Sequence, residues 1–504
     1  MDGIDDNRAT DISDYTNMHK FPLQKPESIV DYDDDDVFAR YRLQGVNPIT
    51  IKKCTQETRV KLKALDSYGP GDPEYEDYEA LKEHVDSLME EGNLFVVDHE
   101  LLAGMEATPV DDYQRYLAVG IALFEYNSSN ADYLPLTPIG IQLSQGDSDE
   151  IPPIFTPDDG DDGSYTWLIA KTCFEAADFI IHEVVSHLGY THVLMEGVLV
   201  ALHRQLARKH PIYALIHPHL EGTALINWGA QNILIVEGGE VDRLQANSIV
   251  DSWDLVLNET LKRLASDFSP PADFEARGMT EDDFPGRYAY RDYGLKYWDA
   301  VLDWVTEYLD LYYVSDSDID DDDELQAFVD EMIDNAAMTW FAKLETSEDK
   351  KGFLAKIFAS LIYTSSVLHA AVNFPQRTAI SYVPSCGVSI FEPVPTDKGF
   401  QSYEDYLLYL PPMTIAYEHV ETLTLLGNVY YTKLGDYEAS QFDDDRVRIP
   451  LSKFRLAIET IEAGLVADNK NITRHYLPSK GLRRASNFGY ETLLPDNVPQ
   501  SINI

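Results

Sequence analysis

The longest helix-compatible run in this chain lies between Trp167 and Pro211, and no proline interrupts it before Pro211. Its apolar residues are distributed over most faces of the helix. A helix that is apolar nearly all round belongs inside a protein core, so the rest of the chain has to pack around it. The run therefore predicts a large, mainly α fold organised about long central helices.

The remaining chain supports the same fold class. Further blocks with helical periodicity cover residues 247–266, 291–313, 323–337, 350–373, 401–433 and 451–469. LFVVD (94–98) and YLAVGIALF (116–124) have the pattern of strands and predict a small β-sheet near the N-terminal part. Because no linker interrupts the middle of the chain, we predict a single domain over residues 26–504. Residues 1–25 are polar and acidic, and we expect them to be disordered.

Three histidines in the long run are spaced by five residues: His182, His187 and His192. On an ideal α-helix, five steps leave two side chains roughly 140° apart. A π-helical turn, with i→i+5 hydrogen bonds, brings them much closer, and such turns gather at functional sites. Gly189 lowers the helix propensity of the same segment. The spacing therefore predicts a π-turn over residues 182–192.

His369 and Asn373 form a second group, four residues apart and on one face of a regular α-helix. The preceding FLAKIFASLIYTSSVL is apolar, so this face is expected to be interior. Each histidine alone could be a hydrogen-bonded core residue, but imidazole is the commonest protein ligand of transition metals. Together the two groups indicate a mononuclear metal site. Four other histidines we interpret as helix-end or loop residues with structural hydrogen bonds: His203, His210, His217 and His219.

The charge balance excludes several classes of partner. There are 39 basic and 87 acidic residues, which give a net charge of -48. Such a surface repels nucleic acid and anionic membranes. The acidic runs at residues 31–36 and 316–324 lack the glycine and spacing of a helix–loop–helix calcium site, so we interpret them as solvated loops.

The cysteines and the apolar segments bear on location. Cys54, Cys173 and Cys386 are too few and too widely spaced for a disulfide framework, which favours a reducing compartment such as the cytoplasm. No stretch of roughly 20 uncharged apolar residues is present, and the N-terminus lacks a secretory signal, so we expect no stable membrane insertion. A monomer is the favoured state.

Several ordered motifs resemble those of lipoxygenases. They include FARYRLQGVNPITI (38–51), WLIAK (167–171), the histidine triple, HPIYALIHPHLEGTALIN (210–227), RDYGLKYW (291–298) and VPQSINI (498–504). The resemblance covers most of the chain, from about Phe38 to Ile504. Only 166 residues precede WLIAK, so no room is expected for the N-terminal β-sandwich lipid-binding domain of plant and animal enzymes.

The resemblance implies a ligand set and a reaction. The ligands would be His187, His192, His369, Asn373 as a weak or distant ligand, and the terminal carboxylate of Ile504. Such nitrogen and oxygen donors suit non-haem iron, with manganese as an alternative. In the family, a metal-bound hydroxide takes a hydrogen atom from a doubly allylic CH2 of a polyunsaturated fatty acid. Dioxygen then adds to the resulting radical and yields a hydroperoxide.

The resemblance also assigns residues around the metal. His182 becomes an outer residue rather than a ligand, and Glu183 and Gln376 resemble the polar pair that links the ligand helix to the substrate pocket. Ala230 occupies a position where alanine favours an S product. The pocket is expected to be an apolar channel. Its expected residues are Ala230, Leu234, Val241, Leu244 and Gln245.

The chain departs from the lipoxygenase motifs at two places, and three alternatives for its metal or function stay open. Gln231 replaces an arginine that is usual in the family, and NFPQR (373–377) replaces the more frequent NFGQ. The chain could bind manganese or could isomerise fatty-acid hydroperoxides. A function of a different class is a fatty-acid-binding protein that keeps the fold without catalysis.

Overall fold

A continuous forty-residue helix, Thr166–Gln205, passes through the centre of the computed structural model. The structure describes residues 7–20, 23, 25–72, 75–145, 151–427, 432–479 and 489–504. The central helix begins as α-helix, becomes π-helix over Ile181–Val193 and returns to α-helix over Leu194–Gln205. The predicted mainly α fold with long central helices is therefore confirmed, and so is the predicted π-turn.

The α-helices are labelled in chain order. Their bounds are α1 Ile12–Thr16, α2 Asp35–Gln44, α3 Gln56–Arg59, α4 Ala64–Ser67, α5 Tyr75–Glu91, α6 Thr166–Ile180, α7 Leu194–Gln205, α8 Pro211–Ile216, α9 Thr223–Gly229, α10 Glu240–Leu244, α11 Ile249–Leu264, α12 Pro270–Ala276, α13 Ala289–Leu309, α14 Asp316–Asp320, α15 Asp323–Asp334, α16 Lys350–Tyr363, α17 His369–Asn373, α18 Tyr403–Tyr409, α19 Met413–Leu426 and α20 Arg448–Ser479. Within the described residues, four segments are π-helical: π1 Ile181–Val193, π2 Ala230–Leu234, π3 Thr364–Leu368 and π4 Gln376–Ile380.

Neighbouring helices enclose the central one. Helix α11 packs along π1, and α15 packs along α7. A second layer forms where α13 packs against both α16 and α20. Helix α16 continues through π3 into α17, so a second long helical run crosses the core beside π1. The two runs bring the sequence-distant histidines toward each other.

A small antiparallel sheet lies ahead of the central helix in the chain, as predicted. Its strands are β1 Lys52–Lys53, β2 Leu94–Asp98, β3 Ile121–Tyr126, β4 Leu136–Gln142 and β5 Ile154–Phe155. They pair in sequence order, and a register shift between Leu123 and Phe124 bends the β3–β4 pair. One face of the sheet packs against the main core, and the other covers a small apolar cluster with α4 and α5.

The N-terminal segment differs from its expectation. Residues 7–20 pack onto the domain, and disorder is the wrong description for them. Asp11 caps α1 by accepting a hydrogen bond from the Ser13 amide, and Tyr15 is buried and donates to the Pro411 carbonyl at 2.8 Å. Acidic composition misled here because the aspartates are helix caps around one buried aromatic ring. Residues 1–6, 21–22 and 24 lie outside the described part.

Two helical runs are long and apolar enough, by length and composition alone, to cross a membrane. They are Thr166–Gln205 and Lys350–Ile380, and 61% and 94% of their apolar windows are buried inside the protein. The same test is passed by core helices of globular proteins, and both runs pack in the main core here.

Candidate metal centre

Three imidazoles converge in the core where the two long runs meet. The Nε2 atom of His187 lies 3.3 Å from Nε2 of His192 and 3.4 Å from Nε2 of His369. Candidate ligand atoms of all three residues lie within 4.8 Å of one another, and all three residues are buried. Of the predicted ligand set, the structure thus brings together its three histidines.

The π-helical geometry explains how His187 and His192 reach the same point. Residues five apart share a face in π1, because its hydrogen bonds run from i to i+5. Gly189 lies between them and packs against α11, where an added Cβ would lie 3.0 Å from the Thr260 hydroxyl. The tight contact provides a packing reason for glycine at this position in addition to its low helix propensity.

His187 is oriented by a carboxylate on its own helix. Its Nδ1 donates to Oε2 of Glu183 at 3.1 Å, and Oε1 of Glu183 lies 3.5 Å from Nδ1 of His182. The Nε2 of His182 donates to the Val372 carbonyl at 2.5 Å. His182 therefore points away from the imidazole cluster and ties π1 to α17, which agrees with its expected outer position.

His192 is oriented by a residue that the sequence reasoning missed. Its Nδ1 donates to Oδ1 of Asn227 at 2.9 Å. The Asn227 amide nitrogen donates to the His192 carbonyl and to Oε2 of Glu196, each at 3.0 Å. The available signal was the position of Asn227 at the end of HPIYALIHPHLEGTALIN, a segment that resembles a family motif. Its partner could not be identified because the contact joins two helices.

His369 has a different environment. Its Nδ1 has no hydrogen-bond partner among the described residues, although the backbone of Ile504 lies close enough to affect its pKa. Asn373 is fully buried and donates to the Leu426 carbonyl at 3.3 Å, while its Oδ1 accepts from Gln376 Nε2 at 3.0 Å. Gln376 thus contacts the Asn373 amide directly.

The last described residues are held by the segment that precedes Asn227. His219 Nδ1 donates to the Gln500 carbonyl at 2.7 Å, and Thr223 Oγ1 donates to the Ile502 carbonyl at 2.9 Å. Ser501 Oγ donates to the Glu221 carbonyl at 2.8 Å. These bonds hold the run that leads to Ile504, which is 7% exposed.

Burial keeps the three central imidazoles neutral. It lowers the pKa of His187 to about 4 and that of His192 to about 3. Burial, reinforced by the other two rings, lowers the pKa of His369 well below its usual value. Neutral imidazole is the form that binds a metal ion.

The donor set fits a cation. Because Nδ1 of His187 and of His192 each donate a proton outward, both Nε2 atoms present lone pairs to the cluster and cannot satisfy each other. Donor atoms about 2.1 Å from one ion lie roughly 3.0–3.4 Å apart at ordinary angles, which matches the observed separations. The residues present therefore fit a bound metal ion, with nitrogen donors suited to iron.

Comparison with known proteins supports this interpretation. The sequence model of the family described as Lipoxygenase matches residues 6–495. The chain is a member of the lipoxygenase family. It is 31% identical over 503 residues to the linoleate 9/13-lipoxygenase of Pseudomonas aeruginosa, covering 96% of this chain and 68% of that protein. It is 30% identical over 452 residues to human polyunsaturated fatty acid lipoxygenase ALOX15B, covering 88% of this chain and 64% of the human one.

Solved structures show the same fold. A coral 8R-lipoxygenase superposes with a TM-score of 0.81 at 24% identity, covering 99% of this chain and 71% of that one. A lipoxygenase crystallised anaerobically with arachidonate superposes with a TM-score of 0.80 at 25% identity, covering 98% and 71%. The chain therefore has the architecture of lipoxygenase catalytic domains.

A buried polar network positions π1 of this lipoxygenase. Ser186, next to His187, donates to Oδ1 of Asn47 at 2.8 Å, and Asn47 Nδ2 donates to Asp178 at 3.0 Å. Arg42 binds Asp178 at 3.1 Å and Glu175 at 2.5 Å. Burial alone would raise the pKa of Asp178, but the charge of Arg42 and the hydrogen bond from His99 together outweigh burial and lower that pKa. The FARYRLQGVNPITI motif thus anchors the helix that carries two of the candidate ligands, His187 and His192.

The five residues expected to line the pocket lie on and after π2. Ala230, Leu244 and Gln245 are buried, whereas Leu234 and Val241 are partly buried against the main core. Two nearby surface cavities, of about 640 and 490 Å³, are lined by neighbours of these five residues and not by the residues themselves. Their role in a substrate channel stays a prediction.

The other histidines have the structural bonds expected of them. His210 accepts from the Ile212 amide as the N-cap of α8 and contacts Asp322 at 3.0 Å. His219 accepts from the Tyr437 hydroxyl at 2.9 Å. His203 lies 3.3 Å from the Tyr213 hydroxyl, and His217 stacks on the same tyrosine ring.

Proposed function

We propose that this lipoxygenase inserts dioxygen into polyunsaturated fatty acyl chains that contain a cis,cis-1,4-pentadiene, and so produces hydroperoxides. The observation that carries the proposal is the convergence of three Nε2 atoms, two of which are held by outward Nδ1 hydrogen bonds. The similar protein of Pseudomonas aeruginosa is a linoleate 9/13-lipoxygenase, which supports linoleate as the first substrate to test.

The metal would be non-haem iron held by His187, His192 and His369, with Asn373 and the Ile504 carboxylate nearby. The chemistry that iron supplies when bound is one-electron oxidation of a doubly allylic CH2 with loss of its proton, after which dioxygen adds to the pentadienyl radical. The chain's own residues fix the donor geometry. Glu183 and Asn227 each hold an Nδ1 proton, so the Nε2 lone pairs face inward.

The test uses purified protein reconstituted with ferrous iron, linoleate and oxygen. Conjugated-diene absorbance and oxygen consumption should rise together, and metal analysis should find one iron per chain. Stoichiometric lipid binding without diene formation and without bound metal would instead support the fatty-acid-binding alternative. Loading with manganese in a parallel sample decides between the two metals.

A second candidate is isomerisation of hydroperoxides. The chain is 29% identical over 455 residues to human hydroperoxide isomerase ALOXE3, covering 88% of this chain and 60% of the human one. Anaerobic incubation with linoleate hydroperoxide separates the two functions, since an isomerase consumes the conjugated diene of the hydroperoxide, whereas a dioxygenase without oxygen leaves that diene in place.

Stereochemistry and location complete the proposal. Ala230 supports an S product, so chiral analysis of wild type and Ala230→Gly should show a shift from S toward R.

The three cysteines are all unpaired, which supports a reducing compartment such as the cytoplasm. Cell fractionation with an antibody tests this.

A further inference from the structure

An open groove of about 640 Å³ lies between α7, π2 and α11. Its lining includes the apolar side chains of Val193, Ile235, Trp253 and Leu257. Large apolar side chains also stand exposed on π2, on α11 and on α9, which precedes π2: Leu225, Trp228, Ile233, Val250 and Leu257. Exposed apolar clusters of this kind mark sites of lipid or protein contact, and the volume lies in the range of ligand sites.

The groove is linked to the metal centre by hydrogen bonds. Val193 follows His192 directly, and Glu196 lines the groove while it accepts from Asn227. Asn227 in turn accepts from His192. Two hydrogen bonds therefore connect Glu196 in the groove with His192, a candidate metal ligand.

The charges in the groove have one sign. Glu196 and Glu237 are the charged side chains among its lining residues, and neither lysine nor arginine belongs to that lining. Gln231, at the position where the family resemblance leads one to expect arginine, donates to Glu196 at 3.2 Å. Arg243, further along in α10, is bound by Asp111 and Glu418.

We infer that this groove receives a polyunsaturated acyl chain as an uncharged ester rather than as a free fatty acid. The carboxylate of a free acid would enter a site with two like charges and no cation, whereas an ester carries no charge to repel. The apolar lining accepts either hydrocarbon chain equally, so the charge decides between them. This inference rests on the proposed function for its catalytic consequence and on the groove alone for binding.

The experiment compares methyl linoleate with linoleate, both dispersed in the same neutral detergent at neutral pH. Binding to the metal-free protein is measured by calorimetry, and oxygenation by the iron-loaded protein is measured by oxygen consumption. We expect the ester to be favoured by about tenfold in affinity and in kcat/KM. Equal or better use of the free acid would overturn the inference.

Matched variants locate the effect. Glu237→Lys places a cation in the groove and should narrow the ester preference by about tenfold, mainly through tighter binding of the free acid. Glu348→Lys makes the same charge change at an exposed position outside the groove and should leave the preference unaltered. An ester preference that is the same in wild type and Glu237→Lys would contradict the assignment to this groove.

Failure of the proposed function gives a different result. If no linoleate derivative is oxygenated but the wild type still binds the ester about tenfold more tightly than the free acid, and Glu237→Lys still narrows that difference, the groove assignment stands and the dioxygenase function falls. If oxygenation occurs with a preference for the free acid, the function stands and the groove assignment falls.

Discussion

The two helical runs that carry the imidazoles hold them in different ways. On π1, His187 and His192 are five residues apart, and each has a side-chain acceptor for its Nδ1 proton, Glu183 and Asn227 respectively. On α17, His369 has no such acceptor among the described residues, and the backbone of Ile504 lies beside it. One run fixes its ligands through local side chains, and the other depends on a distant stretch of chain.

This difference indicates that two separate sets of contacts position the candidate ligands. His187 and His192 are positioned by the π-helical geometry and by hydrogen bonds to two acceptors. Glu183 lies on the same helix, and Asn227 is supplied by α9 when it packs against π1. The position of His369 relative to Ile504 depends on the contacts of His219 and Thr223 with residues 500–502. Substitutions in the two groups should therefore affect metal binding to different extents.

The largest expected effect comes from removing His369 itself. His369→Ala should lower iron affinity by more than about a hundredfold, the upper end of losses caused by outer residues. Iron content after dialysis and titration of the metal-free protein measure the change. His203→Ala removes an exposed histidine near the end of the central helix, away from the imidazole cluster, and serves as control. Stoichiometric iron in His369→Ala would show that α17 does not contribute a ligand.

The next effect tests the side-chain control of π1. Glu196 accepts only, so it holds the Asn227 amide with Oδ1 toward His192. Glu196→Gln leaves the bond from the Asn227 amide nitrogen to the His192 carbonyl to hold that orientation without the carboxylate, so the acceptor of His192 is held less firmly and iron binding should weaken by about tenfold. Iron titration of the metal-free variant measures the loss.

A double variant sharpens the same test. Adding Asn227→Asp to Glu196→Gln restores a fixed acceptor for His192 and should recover most of the affinity. Gln231→Leu removes the other hydrogen bond to Glu196 and should change iron affinity little. No recovery in the double variant would mean that Glu196 acts through packing alone.

The anchoring of the last residues predicts a pH effect. Burial lowers the pKa of His219 to about 4, so between that value and about 6.5 the unfolded chain binds a proton that the folded chain does not. The free energy of unfolding that a neutral, buried His219 contributes at pH 7.5 is therefore lost as the pH falls through this window. For His219 the loss at pH 5.5 is about 1.4 kcal/mol. Urea unfolding of metal-free wild type and His219→Gln should show the wild-type advantage shrinking by about that amount at pH 5.5. An unchanged difference would contradict a neutral His219.

The smallest effect is expected at Thr223. Thr223→Val keeps the shape of the side chain and removes its hydrogen bond to the Ile502 carbonyl. One neutral hydrogen bond corresponds to about a threefold change in iron affinity. Ser501→Ala, which loses the bond to the Glu221 carbonyl, tests whether the tethers act alike. If Thr223→Val lowered affinity as much as Glu196→Gln, the two runs would depend equally on their outer contacts.

The sequence predicted the part of the site that has a local signature. A five-residue histidine spacing requires π geometry, and π1 was predicted for that reason. The segments π2, π3 and π4 carry no such repeat, and the sequence reasoning did not anticipate them. The role of Asn227 could not be predicted from its motif, because its bond to His192 forms only when α9 and π1 pack together.

Composition was a weaker guide than spacing. Acidic residues suggested disorder at the N-terminus, yet α1 packs on the core with Tyr15 buried. This outcome depended on tertiary contacts that average properties do not encode.

The π-helical insertion in the central helix also bears on how this protein can evolve. A π-turn takes up one residue more than the α-turn it replaces, so deleting one residue from π1 would return the segment toward α geometry and leave α7 in register. Val198, Ala201 and Leu202 would stay in the core. Core packing alone therefore does not preserve the insertion, and the five-residue histidine spacing depends on selection for the metal centre.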